Sequence, residues 1–598
     1  MNVFFTAFEK FQKIYRDYIQ KNLLSVFKFR QRIVIREEFY NLGLAVVIGI
    51  IGGICNLIYH LLEELLKGGF TKHIGEISEI AEHLPYWQRI TTPLIGGIAA
   101  ALVLKIGLKG TDKSLPSGFL EAVVVGAGRL PFRASIARTF SSLVSISSGC
   151  SIGREGSIVN FSASVASKLG QLFDFQPYKL RFLTACGAAA GLSAAFNAPL
   201  SGAVFAAHIV IGNFSMSLFA PIILASVFAA MTSRSFFGIE PLYTVPTFEF
   251  TRIGQLPWLV LVGIGSGFIG AVFMKGMELS EKYFKKTIKT DLIRMAFGGL
   301  LVGVMAVYYP QVWGNGYGPA NAILGERFTV QLLLGLFVAK ILATIISVGS
   351  GAVGGVMTPS LFIGVAYGSF CGLGLHALGF GEQLPVCVFA LSGMAGVFAA
   401  TTHSPLLAML MVFEISLNYS LMPALMLTCP LATLVSRQLH RNSVYTKPLY
   451  DKGITIKESK KPGTARIRTV ADIMRQPVKP IDQSTPFQTI VERFLSSTNN
   501  FLPVVDSDNR LLGVVSLQDV KEYLNRNEKI DGIIAYDIMQ PAHYLVAQQN
   551  LMEAFPVLIK SDIRNIPVVN DAREMKLIGS VLRSEALGII SEEIAAGG

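Results

Sequence analysis

The stretch Ser148-Gly-Cys-Ser-Ile-Gly-Arg-Glu-Gly-Ser157 separates two apolar segments and contains an adjacent Arg-Glu pair. A second glycine-rich break, Ser350-Gly-Ala-Val-Gly-Gly-Val-Met-Thr-Pro359, follows about two hundred positions later. When the two breaks are overlaid, Ser148-Gly149 falls on Ser350-Gly351, Gly153 falls on Gly355, and Glu155 falls on Met357. This agreement in order and spacing indicates that the breaks are equivalent parts of an internal repeat.

The composition predicts an integral membrane protein. Of the 598 residues, 51% are hydrophobic and 15% are charged, and the mean hydropathy is +0.50. A soluble chain of this size cannot bury so much apolar surface. The net charge of +12 is better explained by basic cytoplasmic flanks than by nucleic-acid binding. We therefore expect no nucleic-acid partner, and a location in a prokaryotic inner or plasma membrane with both termini in the cytoplasm.

The first 39 residues carry many charges, so they do not resemble a cleavable signal peptide. Basic residues alternate there with aromatic ones, which predicts a basic amphipathic helix on the cytoplasmic membrane surface. A solvated extension is the alternative. The six cysteines lie in apolar segments and form no CxxC pair, so we expect small buried residues rather than disulfides or metal ligands.

The membrane region is predicted to span residues 40–440 and to contain helices of unequal length. Apolar stretches of 10–14 residues are too short to cross a hydrocarbon core of about 30 Å. Such half-helices can end at membrane depth only where the backbone is buried or lines a polar site. Long apolar segments are 41–66, 93–106, 257–276, 293–309 and 329–348, and short interrupted ones are 117–128, 153–169, 199–211, 355–370 and 405–415.

A second pair of matching stretches supports the repeat. Gly191-Leu-Ser-Ala-Ala-Phe-Asn-Ala-Pro-Leu200 is similar to Gly396-Val-Phe-Ala-Ala-Thr-Thr-His-Ser-Pro-Leu406, with one inserted residue. The halves are predicted to be residues 41–240 and 250–440. Broken helices at matching places in two repeats indicate a transport site, so we predict that the two breaks form one ion site in the middle of the membrane.

The sequence changes character after the membrane region. Residues 441–465 form a polar, basic linker. Residues 466–527 and 528–598 then repeat each other as two soluble α/β units with an offset near 65, because Asp472-Ile-Met474 recurs as Asp537-Ile-Met539. The predicted fold is thus an all-α membrane domain followed by an α/β pair.

Three helix N-termini are candidates for an anion site. Unpaired N–H groups and a partial positive charge at such ends can bind an anion without a full cation. The candidates are Pro116-Ser-Gly-Phe-Leu-Glu121, Gly153-Arg-Glu-Gly-Ser157 and Gly355-Val-Met-Thr-Pro359. Ser117 would add a hydroxyl donor.

Glu155 is the most informative single residue of these stretches. A carboxylate near the middle of a bilayer costs about 2.5–3.5 kcal/mol or more, which suggests a functional role. Beside converging helix N-termini it would act as a tethered anion that competes with the permeant one and is released by protonation. The alternative is a glutamate paired with Arg154 at the membrane interface.

These motifs resemble those of the CLC chloride channels and transporters that carry a C-terminal pair of CBS domains. Gly153-Arg-Glu-Gly-Ser157 resembles GREGP, Gly355-Val-Met-Thr-Pro359 resembles GxFxP, and Pro116-Ser-Gly-Phe-Leu-Glu121 resembles GSGIPE. Ser157 replaces the proline of the first motif, and Met357 replaces the phenylalanine of the second. Residues of the three motifs expected to shape the selectivity region are Gly118, Gly153, Arg154, Gly156, Gly355 and Pro359.

The resemblance implies a homodimer with one pore per subunit, the CLC inverted-repeat fold with re-entrant helices, and no enzymatic activity. It implies that the anion is held by Ser117, by Tyr445 and by the backbone N–H groups of Val356 and Met357. Ser443-Val-Tyr445-Thr resembles the family's segment with a tyrosine just after the last membrane helix, and Tyr450 is the weaker candidate for that tyrosine. The resemblance also implies that Glu155 is the gate. Retention of Ser117 favours chloride as the permeant ligand, and no cofactor is required.

The family includes passive channels and proton-coupled exchangers, and one position bears on the choice. The exchangers usually relay protons through a second glutamate in APLxGxxFxxEE, where this chain has His208-Ile209. Ile209 cannot carry a proton, which favours a channel or an uncoupled exchanger. A coupled Cl⁻/H⁺ antiporter stays open, because His208 could relay protons from the neighbouring position, although a packing role is the simpler interpretation.

The tail resembles CBS pairs that bind an adenine nucleotide. Gly513-Val-Val-Ser-Leu-Gln-Asp519 matches the motif G-x-x-[ST]-x-x-[DE], in which Ser516 would face a phosphate and Asp519 the ribose. In the second unit Glu585 is kept, but Leu582 replaces the hydroxyl residue. ATP, ADP or AMP is one expectation, and an empty structural module is the other. A further alternative for the whole chain is a CBS-based membrane sensor with a vestigial pore.

Overall fold

The computed structural model describes residues 37–111, 116, 118–238, 243, 256–325, 327–380, 384–454, 469–496, 499–525, 532–561 and 563–597. The chain divides into two compact units between residues 456 and 457. The predicted N-terminal amphipathic helix lies almost wholly outside the described residues, as does the second half of the predicted linker.

The first unit is built of helices, as predicted. Eight helices of the described part are long and apolar enough to cross a membrane. In chain order the helices are α1 (Glu37–Thr71), α2 (Ile77–His83), α3 (Tyr86–Gly107), α4 (Phe119–Val124), α5 (Phe132–Ser147), α6 (Glu155–Leu172), α7 (Pro177–Phe196), α8 (Pro199–Phe205, continued by a π turn over Ala206–Ile211), α9 (Met216–Phe237), α10 (Leu256–Thr287), α11 (Asp291–Tyr308), α12 (Tyr317–Leu324), α13 (Val330–Gly349), α14 (Met357–Ala377), α15 (Val386–Thr402), α16 (Pro405–Ser416), α17 (Met422–Leu439) and α18 (Lys447–Asp451).

One predicted half-helix is wrong. The segment 355–370 was expected to be too short to cross a membrane, but α14 has 21 residues and is one of the eight long helices. Its glycines are packing positions rather than interruptions. A side chain on Gly368 would meet the carbonyl oxygen of Phe389 at 2.0 Å, so glycine there lets α14 approach α15 closely.

Helix boundaries follow from proline and from left-handed residues. Pro177, Pro199 and Pro405 are the first residues of α7, α8 and α16, where a missing N–H costs nothing. Asn197 and His403 end α7 and α15 in the left-handed region, with φ of 57° and 54°. These matching ends explain why the two similar stretches in the sequence turn from one helix into the next at the same place.

The repeat is also visible at the two breaks. Ser148 and Ser350 each donate a side-chain hydrogen bond to the carbonyl oxygen three residues earlier, at 3.0 and 2.8 Å. Gly149 and Gly351 follow with φ of 103° and 97°, a conformation that favours glycine. The confirmed fold class is therefore a helical membrane domain with two halves built from equivalent broken helices, followed by an α/β tail.

The half-helices α8 and α16 hold each other's N-termini. Glu414 of α16 accepts hydrogen bonds from the backbone N–H groups of Leu200 and Ser201, both at 2.8 Å, and from the Ser201 hydroxyl at 2.6 Å. In the reverse direction, Nδ1 of His208 lies 2.7 Å from Oγ of Ser404, the residue before α16. Glu414 therefore caps the first turn of α8, whereas His208 contacts the side chain of the residue that precedes α16.

Hydrophobic packing joins the two halves. One cluster of buried side chains includes Phe196 and Phe205 of the first half and Phe362 and Phe398 of the second. Five of the six cysteines are buried and Cys371 is half-buried, as their apolar neighbours predicted. The largest cluster of the described residues therefore spans both halves, and smaller ones, such as those around Ile222 and Phe273, lie within a single half.

The second unit contains two equivalent three-stranded sheets. β1 (Ile481–Asp482) runs parallel to β2 (Phe501–Val505), which pairs antiparallel with β3 (Leu511–Ser516). β4 (Leu545–Val546), β5 (Asn565–Val569) and β6 (Leu577–Leu582) repeat this pattern, including a register irregularity in the second strand. The associated helices are α19 (Phe487–Ser496), α20 (Leu517–Asn525), α21 (Ala535–Ile538), α22 (Phe555–Lys560) and α23 (Arg583–Gly597).

One helix of the tail begins late within its amphipathic stretch. In residues 550–560, α22 begins only at Phe555. Pro556 is the reason, because proline lacks an N–H and fits a helix only in its first turn.

Candidate functional site

The structure brings the two glycine-rich breaks into direct contact. The N–H of Gly153 donates to the carbonyl oxygen of Gly355 at 2.7 Å, and the N–H of Gly355 donates to the carbonyl oxygen of Gly153 at 2.7 Å. This reciprocal pair sets the first residue of α6, Glu155, beside the first residue of α14, Met357. Two helix N-termini from the two halves therefore open at one place.

The glycines of this junction allow a close approach of the two backbones. A side chain on Gly156 would lie 3.0 Å from the Cα of Gly355, and one on Gly355 would lie 2.9 Å from the backbone nitrogen of Gly156. At Gly153 an added Cβ would come within 2.3 Å of Oε2 of Glu155. The motif glycines thus allow both the backbone contact and the position of the Glu155 carboxylate.

Glu155 is fully buried and is held by a tyrosine. The Tyr317 hydroxyl donates to Oε1 of Glu155 at 2.7 Å, whereas Oε2 has no hydrogen-bond partner among the described residues. Arg154 does not pair with its neighbour. It donates instead to Glu63 at 3.2 Å, and Glu63 also contacts Lys67 at 3.0 Å. The geometry therefore disfavours the alternative of an Arg154–Glu155 interface pair.

Tyr317 was not identified as a site residue from the sequence. In the structure, the loop that carries Tyr317 is tightly fixed. Tyr317 is the first residue of α12, and its hydroxyl also lies 3.3 Å from that of Thr358. The next residue, Gly318, donates its N–H to Oε1 of Glu76 at 2.6 Å. An overlay of the two halves would have indicated Tyr317, because α12 precedes α13 in the second half as α4 precedes α5 in the first.

A buried lysine supports the same loop. Lys340 of α13 is 0% exposed and donates to the carbonyl oxygens of Val312 and Gly314, at 3.0 and 2.9 Å. Its ammonium lies 5.3 Å from the ring centroid of Phe362, a cation–π distance. Lys340 thus satisfies carbonyl groups just before α12 and fixes the approach of Tyr317 to Glu155.

An aromatic chain connects two further predicted site elements. The ring of Tyr445 lies 5.6 Å from that of Phe205, which lies 5.9 Å from that of Phe119. Phe119 begins α4, and Gly118 is its N-cap. Tyr445 also packs against the hydrophobic cluster that contains Met357. The structure therefore places Tyr445 close to the start of α4 and beside the cluster that reaches the second break, while Ser117 lies outside the described residues.

The predicted backbone donors lie at the start of α14. Val356 is its N-cap and Met357 its first residue, so their N–H groups have no acceptor within the helix. Met357 is buried, and Thr358 and Pro359 beside it are buried as well. The site thus offers backbone dipoles and hydroxyl groups, which suit an anion stripped of water.

The two residues at the proton-relay position have ordinary surroundings. His208 is hydrogen-bonded to Ser404, and its ring stacks 5.9 Å from that of Phe214. Ile209 is partly buried against the main hydrophobic cluster. These contacts favour the packing interpretation of His208.

In the tail the predicted nucleotide residues already bind protein groups. Asp519 accepts hydrogen bonds from the N–H of Ser516 at 2.8 Å and from its hydroxyl at 2.6 Å, at the start of α20. Glu585 accepts from Arg475 at 2.7 Å, and Leu582 ends β6 without a hydroxyl. The two motif copies therefore have different polar surroundings.

Residues 95–437 match the family described as voltage gated chloride channel, and residues 470–526 match the CBS domain. A putative chloride channel protein ClcB-like from Ralstonia nicotianae is 36% identical over 412 residues, covering 68% of this chain and 96% of that protein. The voltage-gated ClC-type chloride channel ClcB of Escherichia coli K12 is 34% identical over 414 residues, covering 68% and 98%.

Solved structures share the fold. A slow cyanobacterial Cl⁻/H⁺ antiporter gives a TM-score of 0.62 at 24% identity and covers 69% of this chain and 97% of its own. A eukaryotic CLC transporter gives 0.57 at 18% identity and covers 91% of this chain and 97% of its own. At these identities the likeness concerns the fold alone.

Replacement of Tyr317 by phenylalanine tests the hydrogen bond to Glu155. Tyr317→Phe removes the donor that stabilises the buried carboxylate, and hydrogen bonds to charged groups contribute about 1.5–3 kcal/mol. We expect chloride efflux from vesicles at neutral pH to rise about tenfold, because the carboxylate leaves its buried position more readily.

Tyr243→Phe is the matched control for this substitution. Its ring lies 5.8 Å from that of Tyr317, but its buried hydroxyl has no partner among the described residues. Efflux of this variant should equal that of the wild type. Equal effects of the two substitutions would contradict a specific role of Tyr317.

Proposed function

The chain belongs to the voltage-gated chloride channel (CLC) family, whose members are transporters and channels rather than enzymes, and we propose that it passes chloride passively through a gated pathway. The observation that carries the proposal is the junction of Gly153 with Gly355. It brings two helix N-termini together beside one buried, protonatable carboxylate.

Anion binding at this junction follows from its charges. Helix N-termini carry a partial positive charge, and their first N–H groups are free to bind a ligand. The nearby guanidinium of Arg154 is already paired with Glu63. We infer that chloride is held by Tyr445, Ser117 and the N–H groups of Val356 and Met357, as in the family motifs. Such dipoles bind an anion while allowing it to leave.

Glu155 is the proposed gate. A charged carboxylate at the N-terminus of α6 occupies the same electrostatic site as a chloride ion. Protonation removes this competition, because a neutral carboxyl group has no strong attraction to helix dipoles. Tyr317 then sets how firmly the charged form is retained, since its hydroxyl is the donor to Oε1.

Passive conduction is preferred because of Ile209. This position lacks a titratable group, and His208 beside it is engaged with Ser404. The nearby carboxylate of Glu414 accepts three hydrogen bonds at the start of α8, so it acts as a helix cap. A Cl⁻/H⁺ antiporter is the second candidate. One solved protein with this fold is a Cl⁻/H⁺ antiporter, and His208 is the residue that would replace the missing carboxylate.

The tail and the assembly complete the proposal. We infer a homodimer from the family resemblance, which light scattering of the purified protein would test.

We also infer that an adenine nucleotide binds at Ser516 and Asp519 of the tail and modulates gating. The second copy of the motif is a poorer site, because Arg475 neutralises Glu585 and Leu582 provides no hydroxyl.

The reversal potential separates a channel from an exchanger. Purified protein in vesicles is exposed to a chloride gradient and a pH gradient together. We expect the reversal potential to equal the chloride equilibrium potential, because no proton is carried. A value displaced well away from it would support the antiporter, and a lack of any chloride flux would support the sensor with a vestigial pore.

Neutralising the gate tests Glu155. Glu155→Gln keeps the size of the side chain but cannot ionise, so we expect chloride flux at neutral pH to rise and its activation by acid to disappear. Flux is measured in vesicles between pH 4.5 and 7.5. Glu281→Gln, at a half-exposed position of α10, is the matched control and should retain the wild-type pH dependence. The same dependence in Glu155→Gln would show that Glu155 is not the gate.

Calorimetric titration of the full-length protein tests the tail. We expect one of ATP, ADP or AMP to release heat with one site per chain, and Asp519→Asn to abolish the signal because the ribose acceptor is weakened. Asp508→Asn, in an exposed turn before β3, should bind normally. Absence of heat with all three nucleotides would indicate a purely structural CBS pair.

A further inference from the structure

A polar cavity lies beside the gate but outside the junction of the two breaks. Its volume is about 170 Å³, and its polar lining consists of Asn56, His60, Arg154, Asn197, Ser233 and Arg234. Since about 10–15 Å³ of such volume holds one water molecule, it has room for a small ion with several waters. Phe237 and Gly238, exposed at the end of α9, form part of its wall.

The charges around this cavity favour an anion. Two guanidinium groups, those of Arg154 and Arg234, line it, and none of the described lining residues is acidic. Arg234 donates through Nε to Asn197 at 2.6 Å, but this amide partner is neutral. Outside the cavity, Glu63 pairs with Arg154 and with Lys67, and Lys67 is also paired with Glu64 at 2.9 Å. The net positive charge of the lining is therefore supplied by Arg234.

The walls contain buried polar atoms that no protein group satisfies. Nε of Arg154 and Nδ1 of His60 are buried without a hydrogen-bond partner among the described residues. Burial of an unsatisfied donor costs about 1–3 kcal/mol, so such groups normally have a partner. Asn56 is fixed, because it donates to the carbonyl oxygen of Ala194 at 3.0 Å and to Ser233 at 3.1 Å. The cavity is thus lined by residues held in place by the fold, and one of them, Arg154, has an Nε–H without a protein acceptor among the described residues.

We propose that this cavity is a second anion site, which takes a small monovalent anion such as chloride and feeds the gate at Glu155. The proposal rests on the proposed function, because it assumes that chloride is the transported ion. Arg154 connects the two places. It lines the cavity, it immediately precedes Glu155, and its guanidinium lies 5.5 Å from the ring centroid of Tyr317. An anion bound there is concentrated next to the carboxylate with which it must compete.

Removal of one cavity charge tests the proposal by kinetics. Chloride flux is measured against chloride concentration for the wild type, Arg234→Gln and Arg234→Lys. We expect the half-saturating concentration of Arg234→Gln to rise about fivefold with little change in maximal flux, because attraction to the entry site is weakened. Arg234→Lys keeps the charge and should stay near the wild type. Unchanged saturation in well-folded Arg234→Gln would overturn the proposal.

Bromide gives a readout that does not depend on transport. Anomalous scattering from crystals of the wild-type protein grown in bromide should show a peak between Arg154 and Arg234, even if the protein proves to be an exchanger or if Arg234→Gln fails to fold. Water in the cavity while bromide occupies the site near Tyr445 would overturn the second site. Bromide at neither place, with no chloride flux, would contradict the proposed function as well.

Discussion

The reciprocal hydrogen bonds between Gly153 and Gly355 are the constraint on which the membrane domain depends. Two chain breaks at membrane depth leave N–H and C=O groups that lipid cannot satisfy, and each unsatisfied group costs several kcal/mol. Here each break satisfies the other. The contact requires a close approach of the two backbones, because a Cβ on Gly355 would lie 2.9 Å from the backbone nitrogen of Gly156 and one on Gly156 would lie 3.0 Å from the Cα of Gly355. This contact fixes the positions of the N-termini of α6 and α14.

The pair α8 and α16 solves the same problem with side chains. Both are short helices that begin with proline inside the protein, and their first N–H groups need acceptors. Glu414 supplies them for α8, while His208 contacts the residue before α16. In both cases the polar groups exposed by a break in one half are satisfied by the other half. The two halves are therefore bound together by their breaks as well as by their shared hydrophobic core.

Much of this arrangement could be predicted because its signals are local or repeated. Glycine-rich breaks, proline starts and apolar segments are short patterns, and the overlay of Gly153 on Gly355 already indicated a common site. Signals that depend on packing were missed. Gly368 interrupts α14 in the sequence, but in the structure it allows contact with α15. Tyr317 lies 162 positions from Glu155 and belongs to no motif, so no local pattern connects the two.

The repeat supplies a scaffold, and the chemistry arises where the halves differ. Glu155 has Met357 as its counterpart, so only one of the joined N-termini carries a charge that can be removed by a proton. The short helices α4 and α12 differ in the same way. Phe119 begins α4 and packs on Phe205, whereas Tyr317 begins α12 and donates to Glu155. Two-fold symmetry alone would give a neutral binding site made of backbone dipoles. In the proposed gate, a single carboxylate with a single tyrosine donor would make that site responsive, because only one side of the junction would change its charge.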